Sequence, residues 1–302
     1  MAALEQMIVL FIMMLIGYAA FCRGMLTKNT TRQISGIVVN IANPALILSS
    51  IVGDTANIST DALLLTVPVA IGMYGFLILV SLGIPRVFGF PKKDWGLYRA
   101  MTVFNNIGFM GFPIIRSMFG SEALLYTGSF MFFYNVLIYT YGIRAIGGGQ
   151  EEKQSVGKIF NVGVIACIIA LLLFLLRVPL PGFLGTSIDM LSNLTAPLSM
   201  MCIGASMADM DLKNMFLDGK MLLFAAAKLI LIPVAGMWIL KLVLHHETIL
   251  GVCMVMLATP VGSMTSMLAQ EYGGNYEEAS KAVAVTSCLS VFTIPLVAML
   301  VL

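Results

Sequence analysis

Two short stretches of this 302-residue chain gather residue types suited to holding a small anion. In Val103-Phe-Asn-Asn-Ile-Gly-Phe-Met-Gly-Phe-Pro113, Asn105, Asn106, Gly108 and Gly111 crowd the middle of an apolar run. In Leu257-Ala-Thr-Pro-Val-Gly-Ser-Met-Thr-Ser266, Thr259, Pro260, Gly262 and Ser263 do the same. Proline removes a backbone donor and frees a carbonyl, and glycine tolerates unwound dihedrals, so each stretch is expected to break a helix. A half-helix that starts at such a break presents N–H groups and partial positive charge, which suit a carboxylate. Asn106 adds two amide donors and one acceptor. In the second stretch, Ser263 and Thr265 can donate hydroxyls.

Lys228 lies in the middle of another apolar run. A charge at bilayer depth costs at least about 2.5–3.5 kcal/mol, so it is expected to stabilise helix ends or unwound carbonyls, or to touch the anion. Arg116 stands near the end of its run, where a guanidinium can snorkel, and its role stays open. Asp61, Glu122, Asp189 and Glu271 fall at run ends, so no carboxylate is placed to carry protons at mid-depth. Sodium could instead use neutral oxygens: Asn105, Asn106, Asn135, Thr259, Ser263, Thr286 and Ser290 are the candidates. Thr286, Ser290 and Thr293 recur on one helical face, where the alternative is that they bond their own i−4 carbonyls.

Catalytic chemistry has no carrier here. The runs hold no paired aspartates, no zinc motif, no nucleophile–base pair and no nucleotide-binding loop. His245-His246-Glu247 is not His-Glu-x-x-His, because position 249 is isoleucine. The five cysteines are odd in number, fit no metal spacing and read as small buried hydrophobes. The 23 methionines read as adaptable packing. An enzyme, a resident metal and a cofactor are therefore not expected.

The elements that position these residues follow from composition. Hydrophobic residues make up 59% of the chain and charged residues 11%, against roughly 45–50% and 25% in soluble domains. A net charge of +2 argues against nucleic acid. The apolar runs are too long and unbroken for barrel strands. At about 20 residues per crossing, ten spans fit, near 4–22, 33–52, 61–84, 96–119, 122–143, 158–177, 184–208, 216–240, 247–269 and 279–302. The expected fold is an all-α polytopic protein of the cytoplasmic membrane. Thirteen Lys and Arg then fall on one side: Arg23, Lys28, Arg32, Arg86, Lys92, Lys93, Arg99, Arg144, Lys153, Lys158, Lys213, Lys220 and Lys281. Only Arg177 and Lys241 fall on the other. Basic residues are retained inside, which puts both termini outside.

The hydrophilic stretch Gly147–Ser155 divides the chain into halves of five spans, 1–143 and 158–302, joined by a cytoplasmic linker over 144–157. An odd number of spans per half inverts the second half. Asn40-Ile-Ala-Asn-Pro44 and Asn193-Leu-Thr-Ala-Pro197 share Asn-x-x-x-Pro at an offset of 153, and Asn105 and Pro260 stand 155 apart. These matches point to two inverted repeats, a plan of secondary transporters whose sites lie at interrupted midplane helices. Asn43, Pro44, Pro113 and Pro197 are further expected helix breaks.

Asn105 through Pro113, and Ala258-Thr-Pro-Val-Gly through Ala269-Gln-Glu-Tyr272, resemble the auxin efflux carrier family, which includes plant PIN proteins and bacterial organic-acid carriers. So do the Asn-Pro of span two, Pro197-Leu-Ser with Ile203-Gly-Ala-Ser206, and Lys228 five before Pro233. The similarity spans essentially the whole chain, without the long cytoplasmic loop of the large plant members. It implies a fold like that of the bile-acid/sodium symporters. Spans one, two, six and seven would form a scaffold that also makes a homodimer contact. Spans three to five and eight to ten would form a transport domain, with broken spans four and nine crossing. It also implies alternating-access transport of small organic anions such as malate, malonate or auxin-like acids. Asn105, Asn106, Gly108, Lys228, Thr259, Pro260, Gly262 and Ser263 would lie at the site, and Asn135, Thr286 and Ser290 along an ion or polar pathway. The acidic residue that plant relatives carry in span three is missing between Leu63 and Val80, so proton coupling by that route has no carrier. Coupling to Na+ or H+, a sodium-coupled symporter and an anion channel stay open as alternatives.

Overall fold

A computed structural model describes residues 2–52, 60–147, 162–178, 180–209 and 218–302. Most of the linker (148–157), and Lys153, Lys158 and Lys213, lie outside the described residues. The described chain is helical, with one isolated backbone bridge between Asn105 and Val261. In order, the helices are α1 (Ala2–Cys22), α2 (Lys28–Ile37), α3 (Asn43–Leu48), α4 (Thr60–Val87), α5 (Trp95–Val103), α6 (Phe112–Phe119), α7 (Ala123–Leu137) and α8 (Ile143–Ile146). They continue with α9 (Val162–Leu175), α10 (Gly182–Ser192), α11 (Thr195–Ala208), α12 (Gly219–Ala226), α13 (Ile232–Val243), α14 (Glu247–Ala258), α15 (Ser263–Glu271) and α16 (Tyr276–Val301).

Among the described residues, four continuous helices are long and apolar enough to cross a membrane: Thr60–Val87, Ala123–Ile146, Gly219–Val243 and Tyr276–Val301. Other apolar runs are divided by breaks or wide turns into shorter helices such as Ile107–Phe119 and Glu247–Ala258. Large apolar side chains face outward along the long helices, as with Leu242 at 80% and Met299 at 84% exposure. Such a surface is stable against lipid and not against water, and this is a membrane protein.

Prolines explain most of the wide turns. Val38–Ala42, Ile107–Gly111 and Ala227–Leu231 are π-helical, and Pro44, Pro113 and Pro233 each follow two residues after the turn ends. A proline ring clashes with the carbonyl four residues back, which for all three lies inside the π turn. Widening the turn relieves the clash and lets the helix continue, so Asn43 and Pro44 sit in a helix that bulges without unwinding. Pro197 falls instead in the first turn of α11, after the chain bends at Asn193-Leu194.

Helix α1 packs on α11 by backbone contact. A Cβ on Gly204 would collide with the Met14 carbonyl, and one on Gly17 with the Met201 carbonyl. Small residues permit this approach where no hydrophobic effect drives helices together. The α1–α11 pair also meets α2, while α3 packs on α9 and α10. Helix α4 packs on α5 and α7, α7 also packs on α9, and α13 and α16 flank α14. At one end of the bundle, polar ties hold the long helices in register. Asp218 caps α12 by accepting from the N–H groups of Lys220 (3.0 Å) and Met221 (3.2 Å), and it pairs with Lys281 of α16. Tyr98 donates to Glu278, and Asn275 donates to Asp94 at 3.2 Å. Tyr98 is stacked on Phe90 at 3.6 Å between centroids.

Gly204→Val should destabilise the protein by about 1–3 kcal/mol, the usual cost of overpacking. Gly75→Ala, where an added Cβ meets nothing within 4 Å, should be neutral or slightly stabilising. Thermal unfolding in detergent followed by circular dichroism checks both. By the same measurement Asp218→Ala should cost about 1 kcal/mol, the ordinary value of an N-cap. Asp218→Asn, which keeps the cap and loses the ion pair, should cost less.

Candidate functional site

Helix α5 ends at Val103 and the chain runs extended through Phe104 to Asn106 before the π turn at Ile107. Helix α14 ends at Ala258, and Thr259 to Gly262 are likewise non-helical before α15. The two breaks lie side by side and antiparallel. The Asn106 N–H donates to the Pro260 carbonyl at 2.8 Å, and the Gly262 N–H donates to the Phe104 carbonyl at 2.9 Å. Val261, whose N–H faces away from this pairing, donates to the Thr286 hydroxyl at 3.1 Å, and that hydroxyl donates to Ala282 of its own helix at 2.7 Å. Residues 104–106 and 259–262 are all buried. Glycine is required at 262, because a Cβ there would stand 2.9 Å from the Asn105 carbonyl oxygen and 3.2 Å from that of Phe104.

Side chains satisfy the carbonyls that the breaks leave open. Lys228, carried in the π turn of span eight, is fully buried. Its ammonium donates to the Thr102 carbonyl in the last turn of α5 at 2.7 Å and to Asn105 Oδ1. A cation is favoured at a helix C-terminus. The Asn105 amide group donates in turn to the Met256 carbonyl and, at 3.4 Å, to that of Leu257, the last turn of α14. Asn105 therefore joins Lys228 to the opposite broken helix, and both ends of its amide are bonded to protein.

Asn106 is different. Its Oδ1 accepts from the Phe109 N–H at 3.3 Å and caps the π turn, while its buried Nδ2 has no partner. Two residues on, Gly108 faces Asn43 of α3: a Cβ on Gly108 would lie 3.2 Å from Asn43 Nδ2. Asn43 Oδ1 is also buried without a partner. A buried polar atom left unpaired costs about 1–3 kcal/mol, so the open donor of Asn106 and the open acceptor of Asn43 give this edge of the frame polar capacity to spare.

The remaining sequence candidates distribute around this frame. The Thr259 hydroxyl bonds Met256 of its own helix at 3.1 Å, and Thr265 bonds Gly262 at 2.7 Å. Ser263 begins α15, whose first turn has no side-chain cap. Ser290 bonds Ser287 at 2.7 Å and touches the Met110 sulfur at 3.8 Å. Asn135 bonds Met131 at 2.8 Å in α7, next to Tyr134, whose ring meets that of Phe104 edge-on at 5.6 Å. His246 caps α14 by accepting from the Ile249 N–H at 3.5 Å. The structure thus brings together Asn105, Lys228, Pro260, Gly262 and Thr286 as a frame, and Asn106, Gly108 and Asn43 at its edge. Asn43, read from sequence only as a helix break, gains its place from Gly108, a contact that no local spacing announces. An apolar groove of about 330 Å³ between α4 and α13, lined by residues such as Pro68, Phe76 and Leu240, offers nothing to an anion.

Comparison with known proteins agrees with this reading. An uncharacterized transporter of Methanothermobacter thermautotrophicus is 24% identical over 303 residues, covering 98% of this chain and 97% of the relative. An uncharacterized transporter of Methanocaldococcus jannaschii is 26% identical over 312 residues, covering 98% of each. A putative malonate transporter of Rhizobium meliloti is 28% identical over 204 residues, covering 63% of this chain and 62% of the relative. The membrane transport protein family matches residues 2–158 and 150–298. With nearly its full length matched, the chain belongs to the membrane transport protein family, that of the auxin efflux carriers its span-four motif resembles.

Proposed function

We propose that the protein is a secondary transporter that carries small organic anions, malonate-like carboxylates first among them, across the cytoplasmic membrane by alternating access. The observation that carries this is the buried, unpartnered Nδ2 of Asn106 at the start of a half-helix, two residues before Gly108, which packs against Asn43. An amide donor and the first N–H groups of a helix are what a carboxylate needs. The name of the Rhizobium meliloti relative supports the substrate class. On this reading the chain forms ten spans as two inverted five-helix repeats, with both termini outside. The partners Asn105 and Val261, 156 residues apart and paired across the two breaks, support the repeat. Helices α1, α2, α3, α9, α10 and α11 would be the scaffold, dimerising as in the plant relatives. The spans built from α4 to α8 and α12 to α16 would be the moving body, touching the scaffold where α7 packs on α9 and α6 on α1.

The same geometry favours a carrier that needs no sodium at the crossing. The carbonyl end of α5, where a coupling cation would be welcome, already holds the Lys228 ammonium. Across that end, the carbonyls of α14 hold the Asn105 amide.

In proteoliposomes loaded by a malonate gradient, Asn106→Ala should reduce uptake about 10–100-fold, the value of one hydrogen bond to a charged group at about 1.5–3 kcal/mol. Undiminished uptake would sink the site. Replacing sodium by choline should leave wild-type uptake unchanged. Lys228→Met should both lower thermal stability and abolish uptake, since it strands the Thr102 carbonyl and Asn105 together.

A further inference from the structure

We propose that the cleft between α6 and the α10–α11 junction is a second carboxylate site, built on Arg116 and Thr195, which a small organic anion occupies on its way to or from the crossing. Its part in transport rests on the function proposed above; its ability to bind does not.

The cleft encloses about 290 Å³. Arg116 lines it from α6, half-buried, and one guanidinium nitrogen donates to the Ser192 hydroxyl at 2.9 Å. Ser192 is itself anchored on the Asp189 carbonyl at 2.9 Å. No described carboxylate pairs with Arg116, although it is the single charged group lining the cleft. Thr195 faces it from α11, is 1% exposed, and its hydroxyl has no hydrogen-bond partner. Helical threonine hydroxyls usually bond a carbonyl one turn back; this one begins a helix after the bend at Asn193-Leu194, and no side chain caps that first turn. Asn193 also lines the cleft, and Leu46 and Pro113 supply an apolar wall.

The chemistry is specific. A guanidinium fork binds a carboxylate bidentately, a threonine hydroxyl donates a third bond, and the uncapped start of α11 adds its partial charge. The apolar wall suits the carbon skeleton of an organic acid better than a bare inorganic ion. Arg116 lies eight residues beyond Gly108, about 12 Å along the helix at 1.5 Å per residue. With Arg116 and Asn106 on separate turns of one broken span, the two are separate stations, and a variant of each reads it by itself.

The test uses the full chain in vesicles of phosphatidylcholine alone, with labelled malonate. Arg116→Gln should raise KM about 10-fold or more while changing the maximal rate less than about 3-fold. Arg116→Lys should fall between, and Thr195→Val should raise KM several-fold. In detergent, malonate should raise the melting temperature of wild type and of Asn106→Ala, and no longer that of Asn106→Ala/Arg116→Gln. Unchanged KM in Arg116→Gln and Thr195→Val, or loss of protection by Asn106→Ala alone, overturns the proposal. So does an Arg116 effect seen only with anionic lipid, which would assign the cleft to a headgroup. If Asn106→Ala transports at full rate while protection still requires Arg116, the crossing site fails and this one stands.

Discussion

A polypeptide that stops being a helix inside a membrane must find partners for its own backbone, because the surrounding hydrocarbon offers none. Among the described residues this chain does so at 104–106 and at 259–262, and each break is the answer to the other. Two backbone hydrogen bonds, Asn106 to Pro260 and Gly262 to Phe104, hold them as the smallest piece of antiparallel sheet. The rest of the interior is arranged around that pairing: the missing side chain at Gly262, the hydroxyl of Thr286 under Val261, and the apolar shell of α14, which is buried along almost its whole length.

The two halves close their open carbonyls unequally. On α5 the Lys228 side chain does it; on α14 the amide of Asn105 does it. Asn105 is the hinge between them, accepting from the lysine and donating to the opposite helix. That leaves its neighbour Asn106, adjacent in sequence and different in duty, with a donor still open. Two adjacent asparagines in an apolar run thus differ: one amide is bonded to protein at both ends, the other at one end only.

Much of this was legible beforehand. The breaks at Asn105–Asn106 and at Pro260–Gly262 follow from glycine and proline in runs that otherwise spell helix, while their meeting was implied by the family resemblance alone. Lys228 demanded a partner because a buried ammonium always does. Sequence could not say which: Thr102 and Asn105 lie more than 120 residues away, and tertiary packing alone brings them together. Pro44 and Pro113 read as interruptions because local rules give proline only that meaning, whereas helix geometry has a second solution, the wide turn. The facing of Asn43 and Gly108 was hidden for the same reason as the lysine contact, and Arg116 read as a snorkelling cation because nothing local reveals Thr195 across the cleft.

The wide turns have a consequence for how the chain tolerates length changes. A π turn amounts to one extra residue in an α-helix, and each residue advances a helix by about 100°. Removing any one residue from Ala227–Leu231 would restore a regular helix and swing everything on one side of it through that angle, taking Lys228 off the end of α5 or turning α13 away from α14. Val38–Ala42 and Ile107–Gly111 flank the meeting of Asn43 with Gly108 in the same way. Substitutions there change one contact, but a single-residue deletion re-aims an entire helix face, so in this protein the count of residues between its prolines and its polar groups is as much a part of the site as their identity.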